Sequence, residues 1–330
     1  MIEDYLLHPI GTLLKNNNDP YTVYTPFKNN GLKLTVDKPL KNKIKNLISE
    51  NKLKTNEYIK YQTNEDILVR GGRLNGLKQL KNIKNQKKYN TTRNDLTIQT
   101  SLLSAYIKYG CISIREVYWH ILNLFGKSNQ LISQLFWREF YFYIAYYFPQ
   151  VLKGKNYNTK YDAIKWNTNN NLFKAWCDGL TGYPIIDAAM TELNTTGYMH
   201  NRGRLITSNF LNRILGQDWR KGEQYFATQL TDYDPSVNNG NWQWIASTGV
   251  DPKPYFQRLF NPWLQSKKFD KNAEYIKKWL PQLSEIPAKE LHEWEKYSTD
   301  YDLNDINYIK PIVDYKTQRK LSVDMYRDVL

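Results

Sequence analysis

Two cysteines in 330 residues, Cys111 and Cys177, with no C-x-x-C spacing, exclude a disulfide framework and a cysteine-based zinc site. Both read as small buried hydrophobes. Histidine is almost as scarce: His8, His120, His200 and His292 are too scattered for a metal motif. No metal is expected, and demanding chemistry falls to an organic cofactor or to acids and bases. No apolar run approaches the roughly 18 residues that cross a bilayer, and Met1 is followed by Ile2, Glu3 and Asp4 rather than a basic and then apolar leader. An intracellular, soluble chain without a membrane partner is expected. Acidic residues are also short, 32 against 46 Lys and Arg, leaving a net charge of +14 and a pI near 9.4. That balance suits a polyanionic partner, because bound Lys and Arg release condensed counterions. Lysine- and asparagine-rich text such as Lys78 to Lys88 also follows from an A/T-rich coding bias, so charge alone leaves both explanations open.

What the chain has in excess is aromatic residues, 15% of the total, within a 41% hydrophobic composition typical of a globular protein. Residues 1–28 read as short extended pieces broken by Pro9, Gly11, Pro20 and Pro26, with Tyr21-Thr22-Val23-Tyr24 as a strand. Residues 29–71 are polar, lysine-rich and weakly periodic, a connector over a larger body. From residue 72 to residue 330 helical spacing dominates, and no internal repeat is visible. Leu74, Leu77 and Leu80 recur every third residue, and helices are expected near Ser101–Tyr109, Ser113–Phe125, Pro184–Leu193, Asn201–Leu215 and Gly222–Leu230. Ser128 reads as the N-cap of a helix reaching Tyr147. The fold class is mainly α.

Within that helix Gln134, Trp137, Arg138 and Tyr141 fall at i, i+3, i+4 and i+7, so one stripe presents an amide, a π-face, a guanidinium and a phenol. The plainer alternative makes Trp137 and Tyr141 core and pairs Arg138 with a carboxylate. His200-Asn201-Arg202-Gly203-Arg204 supplies an amide and two cations at a helix start, and Asp232, Asp234 and Asn238 follow about thirty residues later. Carboxylates that accept from ring N–H groups, with an arginine nearby, match a flavin or a nucleobase edge; a structural Arg204–Asp232 ion pair uses the same residues. Trp166, Trp219 and Trp242 carry no periodic signal.

Several motifs nevertheless stand in a recognisable order: Thr100 through Ser104, Phe136 through Tyr141, Trp176 through Met190, Gly197 through Arg204, Trp219 through Glu223, Asp232 through Gly249, and Phe260-Asn261-Pro262. From about Tyr21 onward the chain resembles the photolyase/cryptochrome family, and within it the class I branch acting on cyclobutane pyrimidine dimers. The resemblance implies an all-helical domain that holds FAD, reduced in its active state, and repairs ultraviolet-damaged DNA by light-driven electron transfer. It places Tyr89, Thr100, Ser101, Leu102, Leu103 and Ser104 at the FAD phosphates, and Arg138, Asn201, Arg204, Asp232, Tyr233, Asp234 and Asn238 around the rest of the cofactor. Asn238 would face flavin N5. Trp242, Trp219 and Trp166 would relay electrons, and Gln134, Trp137, Asn201 and Trp244 would form the lesion pocket. Gln134, Trp137, Arg138, Tyr141, Asn201, Arg202 and Gln265 would meet DNA, with the damaged base flipped out of the stack.

The pattern also departs from the family. Gln134 stands where these enzymes usually carry Glu; its amide donates and accepts but supplies neither proton nor charge. Leu205 replaces Met, Asn241 replaces Gly, and the text from Tyr255 to Phe260 is one residue longer than the common pattern. Asn201 and Leu205 occupy the positions of the histidine pair of the (6-4) branch, and Trp244 the position of a Tyr in the DASH branch. Residues 1–28 resemble only the end of the family's α/β antenna domain, so no antenna chromophore is expected on this chain, and a separate chain carrying that domain is an implied partner of an otherwise monomeric protein. Two rivals stay open: a cryptochrome-like flavin photoreceptor without repair, and a flavin-free DNA-binding remnant that needs a partner chain.

Overall fold

The computed structural model describes residues 4–40, 64–251 and 258–329. Most of the expected connector, and Tyr255 to Gln257 of the lengthened segment, lie outside the described residues. Within the described residues sixteen α-helices follow in order: α1 (Tyr24–Gly31), α2 (Arg73–Asn82), α3 (Tyr89–Thr92), α4 (Ser104–Lys108), α5 (Ile114–Phe125), α6 (Gln130–Tyr147), α7 (Asn170–Asp178), α8 (Pro184–Thr196), α9 (Asn201–Asn209), α10 (Trp219–Gln229), α11 (Pro235–Ala246), α12 (Pro262–Phe269), α13 (Glu274–Trp279), α14 (Ala288–Leu291), α15 (Trp294–Tyr297) and α16 (Tyr315–Arg327). Among the described residues there is no strand, and no helix is long and apolar enough to cross a membrane. Nor do three or more His, Cys, Asp or Glu side chains gather there as a metal site would require.

Local chemistry sets the boundaries. Ser113 Oγ accepts from the Arg115 and Glu116 amides while Glu116 Oε2 accepts from the Ser113 N–H, a capping box that fixes the start of α5 and contributes about 1 kcal/mol. Helix α6 begins one residue later than its sequence suggests, because Asn129 rather than Ser128 caps it, Oδ1 taking the Leu131 N–H at 2.9 Å. Pro184 opens α8, where its missing N–H has no helical partner to lose. The helix expected over Asn201–Leu215 runs only to Asn209 and then widens into a π turn over Phe210–Ile214.

The expected strand at Tyr21–Tyr24 is absent. Val23 is extended, with φ −124° and ψ 129°, but it is the N-cap of α1. Pro26 sits in the first turn, where its lack of an N–H costs nothing, and Tyr24 and Phe27 at i and i+3 bury against α6. The amino-terminal segment thus joins the helical body: Leu7, Leu13, Tyr24 and Phe27 share one apolar cluster with Phe136, Phe140 and Tyr143. A second cluster gathers Trp176, Ile186, Met190, Trp219, Trp242 and Trp294. Cys111 and Cys177 are free and half-buried rather than buried, and desolvation pushes the Cys177 thiol up to about 12.

Candidate functional site

A cavity of about 540 Å³ lies between the two apolar clusters, bounded by α4, α6, α9, the end of α10, and α11. That volume is within the range of pockets that enclose organic ligands. The α6 stripe reaches it whole: Gln134, Trp137, Arg138 and Tyr141 all line the wall. Tyr89, Thr100, Ser101, Leu103 and Ser104 contribute a hydroxyl-rich side, and Asn201, Arg202 and Arg204 arrive from the first turn of α9. Opposite stand Asp232, Tyr233, Asp234 and Asn238, with Trp242 and Trp244 further along α11.

Four expected site residues lie elsewhere. Leu102 has a left-handed φ of +50°, and its side chain joins the core cluster of α6 instead of the cavity. Gln265 is on α12, its Oε1 buried without a partner. Trp219 is fully buried behind the wall, its indole N–H donating to Asn156 Oδ1 at 3.0 Å, and Trp166 is half-buried against Tyr326. Tyr141 faces the cavity and not the outer surface: it is 3% exposed, and its ring fills the space a Cβ at Gly240 would take.

The polar atoms of the wall divide into engaged and unengaged ones. Arg204 donates from Nη2 to Asp232 Oδ2 at 3.0 Å and from Nε to the Met199 carbonyl. Burial pulls its guanidinium down, yet Asp232 and its neighbours outweigh that and hold it above its ordinary value. Asp232 Oδ1 is buried with no partner. Asp234 uses both oxygens: Oδ1 caps α11 by accepting from Ser236 and Val237, and Oδ2 accepts from the Tyr5 hydroxyl at 2.9 Å. Arg138 lies between the rings of Tyr5 and Phe142, 4.5 and 4.6 Å from their centroids, and donates from Nη1 to the Tyr5 carbonyl, leaving Nη2 buried and unpaired. Burial lowers its affinity for the proton. Asn238 is held by Nδ2, which donates to the Glu223 carbonyl at 3.0 Å. Trp137 is stacked on Tyr24 with centroids 3.5 Å apart and planes 8° from parallel. Arg258 lies over the Trp244 ring and donates to the Trp244 carbonyl, while the Trp244 indole N–H has no partner.

His200 caps α9 through Nδ1, which accepts from the Arg202 N–H at 3.0 Å and so carries no proton. Burial, then the charges of Arg202 and Arg204, push its pKa down to about 4. The unfolded chain therefore takes up this proton first, and the contribution present above about pH 6.5 is lost as pH falls toward 4. We expect up to about 3 kcal/mol of stability to disappear across that window. His200→Asn, which keeps a capping oxygen without the titration, should lose clearly less in urea titrations at the two pH limits; equal losses would discard the assignment.

Several wall residues carried no signal in the sequence reading. Arg93, Asn94 and Lys108 line the cavity; Arg93 and Lys108 each follow an expected site residue, Tyr89 and Ser104, by one helical turn, so i+4 spacing could have found them. Tyr5 touches three wall residues, Lys108, Arg138 and Asp234, from more than a hundred positions away, which no local pattern reveals. Trp176 is fully buried with its ring 6.2 Å from Trp242, a contact visible only in the fold.

Residues 131–328 match the model of the FAD binding domain of DNA photolyase. The chain is 43% identical to the deoxyribodipyrimidine photo-lyase of Escherichia coli K12 over 233 residues, which are 69% of this chain and 49% of that protein. Against the deoxyribodipyrimidine photo-lyase of Alkalihalophilus pseudofirmus it is 36% identical over 344 aligned positions, covering 98% of this chain and 71% of the relative. Its fold is similar to the bacterial class III photolyase of Agrobacterium tumefaciens, with a TM-score of 0.88 and 33% identity over 99% of this chain and 72% of that one. The match thus spans about half the length of the first relative and nearly three quarters of the other two.

Proposed function

Because the chain belongs to the family of DNA photolyase FAD-binding domains, we propose that it holds FAD in the 540 Å³ cavity and repairs cyclobutane pyrimidine dimers in DNA under light. The observation that carries this reading is the set of buried, unpaired polar atoms on the wall: Asp232 Oδ1, Arg138 Nη2 and the Trp244 indole N–H. Buried polar groups are almost always hydrogen-bonded, so these atoms fit a ligand with ring N–H donors and anionic oxygens. Reduced FAD held there would supply the photoexcited electron that splits the dimer.

The chain's own groups have definable roles around that chemistry. Asp232 would accept from the flavin ring edge through Oδ1 while Arg204 holds its other oxygen. Asn238, with its Nδ2 fixed on Glu223, would turn its amide toward N5. Thr100, Ser101, Ser104 and Tyr89 would donate hydroxyls to the pyrophosphate, with Arg138 offsetting its charge. Trp137 and Trp244 would stack on the extruded dimer, each contact worth roughly 1 to 3 kcal/mol against the cost of unstacking. The Tyr24 ring holds the Trp137 plane for that purpose. Gln134 and Asn201 would hydrogen-bond the lesion, and Arg202 and Gln265 would reach the DNA strand. Trp242 at the wall, with Trp219 and Trp166 behind it, would conduct electrons to a cofactor that has become oxidised.

The purified chain is expected to take up FAD and to restore irradiated oligothymidine under blue or near-ultraviolet light and not in darkness. Repair in the dark, or no uptake of FAD, sinks the proposal. Photoreduction of the flavin without dimer splitting would instead favour the photoreceptor reading, which Gln134 keeps in view.

A further inference from the structure

Residues 71–94 contain seven cations and no acid: Arg73, Lys78, Lys81, Lys84, Lys87, Lys88 and Arg93. Arg73 is neutralised by Glu116, with oxygens at 2.6 Å from both guanidinium nitrogens. The five lysines are all exposed, and none has a side-chain partner among the described residues. Their arrangement is regular. Across α2 and the 3-10 turn Ile83–Gln86 that continues it, Lys78, Lys81, Lys84 and Lys87 recur every third residue, while Gly76, Leu80 and Ile83 point inward and are buried. Residues three apart are neighbours on an α-helix and eclipsed on a 3-10 helix, so these cations form one stripe roughly 14 to 18 Å long.

Among the described residues nothing pairs with that stripe. Like charges one turn apart destabilise a helix by a few tenths of a kcal/mol per pair. The segment is also placed at the site: Ile83, Tyr89, Arg93 and Asn94 line the cavity, so the lysines cover the outer side of its wall. The positive charge continues inward, since Arg93 and Arg202 both line the cavity.

We propose that Lys78, Lys81, Lys84 and Lys87 form a phosphate rail that binds the backbone of the duplex beside a lesion held at the cavity. The inference rests on the reading that DNA is the substrate, and it concerns affinity rather than chemistry. A rail of this kind is blind to sequence and to damage, because phosphates carry neither.

The test uses the flavin-loaded full chain and a triple variant, Lys81→Gln with Lys84→Gln and Lys87→Gln, titrated with duplexes with and without a thymine dimer from about 50 to 200 mM salt. Each lost phosphate contact should reduce the slope of log affinity against log salt by about 0.9, so the wild type should lose about 40-fold more affinity than the variant over that range. Both duplexes should respond alike, with flavin absorbance and melting temperature unchanged. A control pair, Lys316→Gln with Lys320→Gln on α16, should leave the slope intact. An unchanged slope in the triple variant overturns the rail, as does an equal loss in the control, which would make net charge the cause. So does a variant that keeps its duplex slope but no longer binds anionic phosphatidylserine vesicles. A wild-type chain that ignores both duplexes at low salt overturns the rail and the substrate reading together, whereas loss of light-driven repair with an intact slope difference touches only the latter.

Discussion

Alanine at Asp187 is expected to remove a large share of the stability of this chain. The Asp187 carboxylate is fully buried and accepts four hydrogen bonds: from the Thr181 amide and hydroxyl at 2.8 and 2.6 Å, the Gly182 amide at 2.9 Å and the Tyr308 hydroxyl at 2.5 Å. Burial lifts its pKa to about 6 and the four donors oppose that shift. The network ties the turn before α8 to the segment that leads into α16. Tyr183 donates its hydroxyl to the Val313 carbonyl, the Ile312 amide donates to Thr181, and Gly182, at φ +71°, leaves no room for a Cβ against the Lys310 carbonyl. Removing the acceptor strands four buried donors, for a loss of about 3 to 5 kcal/mol against a typical total of roughly 5 to 15. Asp187→Asn keeps one acceptor oxygen but turns an N–H₂ toward donors, so an intermediate loss is expected. Urea unfolding of the three chains measures this, and an alanine variant within about 1 kcal/mol of wild type would show that the network is dispensable.

The second large effect concerns the cofactor. Asp232→Ala should weaken FAD binding about a hundredfold, because it deletes the unpaired acceptor Oδ1 and also leaves the buried Arg204 guanidinium without its counter-ion. Asp232→Asn should fall between, keeping an oxygen for Arg204 but losing the charge. Titration of the flavin-free chains with FAD, followed by quenching of flavin fluorescence, reads the constants directly. An alanine variant that binds as tightly as wild type would remove Asp232 from the cofactor site. A matching fall in the melting temperature of the flavin-free chain would assign the effect to the ion pair alone.

How much of this was legible in the sequence depended on whether one element imposed the order. The α6 stripe was readable because a single helix places Gln134, Trp137, Arg138 and Tyr141 on one side, and all four reach the cavity. The Arg204–Asp232 pair was foreseen as one of two compatible readings, and the geometry contains both: an ion pair at 3.0 Å and a free carboxylate oxygen beside it. Reading failed where backbone conformation decides direction. Leu102 stands between Ser101 and Leu103 of the cavity wall, but its left-handed φ sends the side chain into the core. Asp234 lines the cavity and also caps α11, a double use that spacing does not reveal. The π turn after Asn209 could not be read because Phe210, Leu211 and Ile214 keep an apolar spacing that suits a continued α-helix. Tyr5 shows the remaining limit, since its partners are set by tertiary packing alone.

Glu139, on the back of α6, accepts from the Leu7 and His8 amides and from the His8 ring, all with no exposure of its own carboxylate. These contacts make the first helix and the segment before it part of the support of the cavity wall: Tyr5 steadies Arg138 and Asp234, and Tyr24 backs Trp137. Residues 4–28 therefore support the cavity wall from behind through their contacts with α6. A protease cut or an expression start placed at residue 28 would expose a buried acid, open the apolar cluster of α6 and loosen two sides of the cavity at once, so what looks like the tail of a neighbouring domain behaves as a keystone of this one.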